Sequence, residues 1–282
     1  MGVVLASSEA TRREREADMA GPEHDGIEPR GVRYEQLGRV GHVVLDRREA
    51  SNAFDLPAAR SLGAALDSVA AAAGRGDIGA VLLVGAGARF CAGGDVRSFV
   101  AAEDPSAYLR DLAATLEAEI RRLSELALPV VVAVHGSVAG AGLAFLLNAD
   151  VVVAARSTRF TMAYPGIGLT PDCGVSYLLP RAVGQQRALD FAMTGRVLSA
   201  DEAAQWGLVT RVVADETVTR EALAVSESLA DAAVGALGQA KRLIRSSWET
   251  TRAESAADEV ETIASAVTSP EAQERIERFV TR

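Results

Sequence analysis

Apolar and polar positions in this chain change period several times, and each change marks an element. Residues 32–37 alternate, with Val32 and Tyr34 on one side, and residues 42–46 form a second extended run. Gly38 and Gly41 between them predict a hairpin. The stretch 56–74 carries Leu56, Leu62, Leu66 and Val69 at helical spacing and stops at Gly74. Residues 80–87 and 129–136 are short apolar runs, the mark of strands buried on both faces. Helices are predicted from about 107 to 127 and in the segment following Gly140. Residues 151–154, 158–162 and 208–213 read as extended. Ser199-Ala200-Asp201-Glu202 is a capping box whose helix ends at Gly207. Everything beyond is helical, with Ser269-Pro270-Glu271 opening the last helix. Strands thus alternate with helices up to about 213, which predicts an α/β core over 29–213 and a helical region over 214–282. Residues 1–28 are charged and lack an apolar period, and are expected to be a disordered tail.

Composition narrows the partners. The chain has 282 residues, 49% of them hydrophobic, enough for one core of ordinary size. A net charge of −9 disfavours nucleic acid and anionic membrane. Two cysteines far apart and three scattered histidines give neither a disulfide framework nor metal-ligand spacing, so no metal is expected. No apolar run reaches membrane-spanning length and no secretory signal opens the chain, so a cytoplasmic protein is expected.

Three segments can carry chemistry. In 88–96 a buried strand runs into Gly93 and Gly94, which can expose backbone N–H groups to a ligand, and Asp95 fits a helix N-cap. In 135–145 another strand opens through small residues into an apolar helix, and His135 at the strand end suits a structural hydrogen bond. Two such N–H sites facing each other can hold an oxyanion. In 164–184 Asp172 precedes an apolar helix, and by spacing alone it reads as a helix cap.

Taken together, these segments resemble the crotonase superfamily, the enoyl-CoA hydratases and isomerases, over about residues 31–282. The family's opening motif is matched by Arg47, Asn52 and Ala53, and its first glycine loop by Phe90-Cys91-Ala92-Gly93-Gly94-Asp95. Its second loop is matched by His135 to Gly142, and its Leu-Pro-Arg run by Leu179-Pro180-Arg181 with Gly184. Each motif is weak alone; their order and spacing are specific. The resemblance implies a spiral of ββα units with a C-terminal helical trimerisation region, hence a homotrimer or hexamer. It implies an acyl-CoA thioester as ligand, with coenzyme A entering as part of the substrate and no separate cofactor. Backbone donors at Gly94 and Ala141 are implied for the thioester oxygen. The adenine and pantetheine path is implied along the 47–54 segment, with Arg47, Asn52 and Ala53, and at the Ala92 carbonyl; Gly93, Gly140 and Tyr164 are implied as further substrate-binding residues.

The chain departs from hydratases at both water-activating glutamate positions, which hold Ala144 and Tyr164. The remaining carboxylate, Asp172, matches the acid/base aspartate of dienoyl-CoA and epoxyphenylacetyl-CoA isomerases. One carboxylate suffices to move a proton between two carbons of a substrate, so isomerisation is the economical expectation. Dehalogenation would need a histidine after the first loop, and none lies between His42 and His135. A dinucleotide-binding fingerprint fails at Phe145 and a serine-hydrolase elbow fails at Leu178. An inactive acyl-CoA binder and a hydratase with unusual residues are the remaining alternatives.

Overall fold

The computed structural model describes residues 31–281; the expected tail, 1–28, lies outside them. β1 (Val32–Leu37) and β2 (Val40–Leu45) form the predicted antiparallel hairpin. Gly38 turns it at φ +58°, a conformation in which a side chain would be strained. α1 (Leu56–Gly74) follows, its first turn closed by the Asp55 side chain accepting from the Ala58 N–H. Then come β3 (Ala80–Gly85), α2 (Val96–Val100), α3 (Pro105–Glu125), β4 (Val130–Val134), β5 (Ser137–Ala139) and α4 (Gly142–Asn148). α3 starts two residues before its periodicity shows, because Asp104 caps it and Pro105 occupies its first turn.

The second half contains β6 (Val151–Ala155), β7 (Arg159–Thr161), α5 (Val175–Val183), α6 (Gln185–Met193), β8 (Val197–Ser199), α7 (Ala200–Trp206) and β9 (Arg211–Val213). The predicted Ser199–Glu202 capping box is present at the start of α7. α8 (Val218–Ala230), α9 (Val234–Ser246), α10 (Arg252–Ala266) and α11 (Pro270–Val280) complete the chain.

The strands make a six-stranded sheet in the order β1-β2-β3-β4-β6-β9, parallel from β2 onward, and a small sheet in the order β5-β7-β8. Every residue of β3 and β4 is buried, as continuous apolar runs require of a sheet covered on both faces. Val81 and Leu83 point into the core that also holds Leu62, Leu66, Val69 and Ile120, from α1 and α3. Leu82 and Val131 point the other way, toward Val218 and Ala222 of α8. The small sheet has strands of three residues, too short to show a period of two, and β5 and β8 leave no mark in the pattern.

Each turn of the chain repeats one unit: a long strand, a short extended piece in the second layer, then helix. β4-β5-α4 and β6-β7-α5 are complete instances. The earlier turns contribute single bridges, Phe54 to Gly94 and Cys91 to Val138, which extend the second layer from β5. This is the expected spiral of ββα units, and it stacks the loops of successive turns at one end of the core.

Candidate functional site

The first and second glycine loops meet where the second layer is narrowest. The Phe54 N–H donates to the Gly93 carbonyl at 2.8 Å, and the Asp95 N–H donates to the Phe54 carbonyl at 2.8 Å. A parallel bridge of this kind uses the groups on either side of Gly94 and turns the N–H of Gly94 itself the other way. Among the described residues that N–H has no protein acceptor, and neither has the N–H of Ala141. Gly93 (φ +98°) lets the two backbones touch: a Cβ there would sit 3.0 Å from the Ala139 oxygen and 3.2 Å from the Ala141 nitrogen. Gly140 (φ +54°) makes the return approach, with the Ala92 oxygen 3.9 Å from its own Cβ position. Gly94 and Gly140 line a cavity of about 450 Å³, walled on the far side by Val96 and Phe99 of α2 and by Leu109, Arg110 and Ala113 of α3.

The 47–54 segment is fixed beside these loops by two side chains that face inward. Asn52 is buried at φ +56°, and its amide donates to the carbonyls of Ala86, Arg89 and Phe90 while its Oδ1 accepts from the Arg47 N–H at 2.8 Å. Arg47 pairs with Asp55 and Asp95, both at 3.0 Å, and donates to the Ala53 carbonyl. The resemblance implies ligand contact for both residues; in the structure their side chains are committed to the loop. What they leave for a ligand is the placement of the backbone from Ser51 to Ala53, next to Ala92, whose N–H donates to Ser51. Asp95 caps α2 through the Arg97 N–H, as its spacing predicts, and also carries the Arg47 pair.

Asn52→Ala should therefore lower stability by about 2–4 kcal/mol, since several buried partners lose their hydrogen bonds. Urea unfolding checks this; a loss below about 1 kcal/mol would show that the loop holds together without the amide.

Asp172 is not the helix cap that its spacing suggests. The residue before α5 is Gly174, and α5 has no side-chain cap. The Asp172 carboxylate instead accepts from the Tyr164 hydroxyl at 2.6 Å. Cys173 (φ +48°) and Gly174 (φ +71°) are consecutive left-handed residues, and this tight turn directs the chain into α5 while Asp172 lines the cavity. Asp172 is the one carboxylate lining that cavity among the described residues. Tyr164 is buried, and its ring carbon Cζ comes within 3.9 Å of the Gly140 Cβ position, so the phenol bridges the second glycine loop and Asp172. Burial, with the Asp172 charge second, holds the phenol far above its ordinary ionisation range, so it remains a hydrogen-bond donor.

Other polar groups nearby are structural or hidden. Ala144 is fully buried one helical turn beyond Ala141 and offers only a methyl group. The His135 ring lies 2.9 Å from the Gly87 carbonyl, as its strand-end position predicts. Burial pushes the Cys91 thiol up to about 12 and raises the Cys173 thiol as well, which leaves neither as a nucleophile at neutral pH. Glu117 of α3 comes close to the Asp172–Gly174 turn from outside the cavity. No sequence signal singles it out, because its helical position is that of an ordinary half-buried residue. Among the described residues no three His, Cys, Asp or Glu side chains gather as a metal site would require. No helix among them is long and apolar enough to cross a membrane.

The arrangement places Gly94 and Gly140, one carboxylate and one phenol around a largely apolar space, with the Ala141 N–H in the adjoining loop. Comparison with known proteins gives the family. The profile of the enoyl-CoA hydratase/isomerase family matches residues 35–282. The chain is 40% identical over 209 residues to the 1,2-epoxyphenylacetyl-CoA isomerase of Escherichia coli (strain K12), covering 72% of this chain and 78% of that protein. A solved enoyl-CoA hydratase from Polaromonas sp. JS666 superposes with a TM-score of 0.83 at 29% identity, covering 89% of this chain and 96% of that one. An enoyl-CoA hydratase from Mycobacterium smegmatis does so with a TM-score of 0.82, also at 29% identity and over the same shares of the two chains. The chain belongs to the enoyl-CoA hydratase/isomerase family, the crotonase superfamily, whose members act on acyl-CoA thioesters.

Proposed function

We propose that this protein is an acyl-CoA isomerase in which Asp172 moves a proton between two carbons of an unsaturated or cyclic acyl group. The observation that carries the reading is the Tyr164–Asp172 pair at 2.6 Å, in the same cavity as Gly94 and Gly140. The Asp172 carboxylate takes a proton from the carbon next to the thioester. The electron pair moves onto the thioester oxygen, where the Gly94 and Ala141 N–H groups stabilise the enolate. Asp172, now neutral, returns the proton to a more distant carbon, and the double bond shifts with no net change in atoms. A single well-placed donor in such a hole contributes about 3–4 kcal/mol to the transition state. Tyr164 holds the carboxylate in one orientation by donating to it, a charge-assisted bond of the strong kind. Coenzyme A enters as part of the substrate, and proton transfer within the acyl group calls for no separate cofactor. The likeness to an isomerase that acts on an epoxide-bearing acyl-CoA supports this reading.

Hydration is the contrary outcome. With Ala144 and Tyr164 where a hydratase has carboxylates, no second base is in place to activate water. Incubation with a panel of 3-enoyl-CoA and ring-bearing acyl-CoA thioesters, followed by mass spectrometry and NMR, should show products of unchanged mass with a moved double bond. Efficient conversion of crotonyl-CoA to a product heavier by one water would replace isomerisation with hydration. No turnover or binding of any thioester would favour an inactive homologue.

The C-terminal helices support a homo-oligomer, a trimer or a pair of trimers. α9 is pinned to the core through Lys241 and Arg245, which hold Asp150 at 2.8 and 2.9 Å. Beyond it, α10 and α11 have no buried residue, while Ile263 and Phe279 are 72% and 81% exposed. Apolar surface on this scale calls for cover, and neighbouring copies provide it in the proposed assembly. Multi-angle light scattering at micromolar concentration should give three or six times the 29.5 kDa chain mass; a monomer would contradict this.

A further inference from the structure

We infer that Glu117 is the carboxylate through which Asp172 exchanges its proton with solvent, which makes it a positioning and relay residue acting through Asp172. The inference rests on the reading of Asp172 as the base. Asp172 lines the cavity that holds the glycine loops, whereas Cys173 and Gly174, the next two residues, line a second cavity of about 540 Å³. The left-handed turn at 173–174 is therefore the wall between the two spaces. Glu117 lines the second space, and its carboxylate oxygens lie 3.6 and 4.0 Å from the Cβ position of Gly174. The carboxylate therefore rests at ordinary contact distance against the turn that follows Asp172.

Glu117 has no ordinary structural task. Among the described residues it makes no hydrogen bond and no ion pair, although cations line the same cavity. Those cations are engaged elsewhere: Lys241 and Arg245 with Asp150, Arg242 with Asp258, and Arg121 with Glu125 at 3.8 Å. Burial raises the Glu117 pKa, Arg121 opposes the rise, and the Asp172 charge adds to it. Toward Asp172 itself face Tyr164, which donates to it, and the Cys173 thiol. Glu117 and Asp172 thus lie on opposite sides of one short turn, each lining its own cavity. When Asp172 takes a proton from substrate, that proton can pass to the Glu117 carboxylate and leave through the second cavity. A solvent proton returns by the same route. Charge and protons balance, and no other reactant is needed.

The consequence is isotopic. In D2O, wild-type protein converting 3-hexenoyl-CoA should place solvent deuterium in the product at low conversion. Glu117→Gln, of equal size but unable to relay a proton, should lower deuterium per product molecule by about 10-fold or more, with turnover retained within several-fold. Glu117→Asp, which keeps the carboxylate, should restore incorporation, and this separates relay from mere packing. Unchanged incorporation in Glu117→Gln overturns the inference, as does a wild-type product free of deuterium or a Glu117→Asp variant that behaves like Glu117→Gln. Asp172→Asn, run in parallel, keeps the two levels apart. If it is inactive while Glu117→Gln exchanges normally, only the relay falls. If Asp172→Asn turns over normally, the base assignment falls and the relay with it.

Discussion

Asp172→Asn should lower turnover of a 3-enoyl-CoA by about 100-fold or more, the usual consequence of removing a general acid–base group. The substitution keeps size and shape. Its Oδ1 can still accept from Tyr164, now as a neutral bond in place of a charge-assisted one, so folding should change little. CoA affinity should also hold, because the implied nucleotide path runs along 47–54, in a different segment. Steady-state kinetics, calorimetric titration with CoA and thermal melting separate these effects. The expected pattern is a collapse of kcat with Kd and Tm almost unmoved. A kcat within several-fold of wild type would mean that another group carries the proton, or that the measured conversion is not isomerisation.

Gly93→Ala should damage the proposed oxyanion site without touching any reactive side chain. At φ +98° an alanine is strained, and its Cβ would press on the Ala139 oxygen at 3.0 Å and the Ala141 nitrogen at 3.2 Å. The two loops must separate by a few tenths of an ångström, which in the proposed mechanism takes the Ala141 N–H off the thioester oxygen. Loss of one donor of this type lowers kcat by about 100- to 1,000-fold. Stability should fall by about 1–3 kcal/mol, as for other residues forced into a sparsely populated backbone region. Gly94 is the matched control: a Cβ there meets nothing within 4 Å, so Gly94→Ala should be tolerated far better by the fold. Equal activity of Gly93→Ala and wild type would show that the Ala141 donor is not in use.

Long elements are readable in the sequence because burial writes a pattern. The unbroken apolar runs at 80–85 and 130–134 mark strands covered on both faces, and the spacing of Leu62, Leu66 and Val69 marks the buried stripe of α1. The three-residue strands of the small sheet leave no such trace, since their pairing is set by the stacking of successive turns. Individual roles are harder to read. Asp95 is a cap by spacing and in fact, whereas Asp172 has similar local surroundings and caps nothing. The difference lies in the positive φ of Cys173 and Gly174 and in Tyr164, eight residues earlier, neither of which a local pattern encodes. Asn52 and Arg47 are marked as important by the family motif, but only three-dimensional contacts reveal that they brace a loop. Glu117 stays hidden in the sequence because its neighbours Asp172 and Gly174 are distant along the chain.

The central claim is geometric: one carboxylate and two backbone donors act on the same thioester. The most direct measurement is a crystal structure of the Asp172→Asn protein with a 3-enoyl-CoA bound and unreacted. The thioester oxygen should lie within hydrogen-bond reach, about 2.7–3.1 Å, of both the Gly94 and Ala141 nitrogens. The carbon beside the thioester should face the substituted side chain at position 172 at near-attack distance, about 3–3.5 Å. A thioester bound with its oxygen away from these nitrogens, or with the side chain at position 172 out of reach of the acyl carbons, would contradict the assignment of Asp172 as the base.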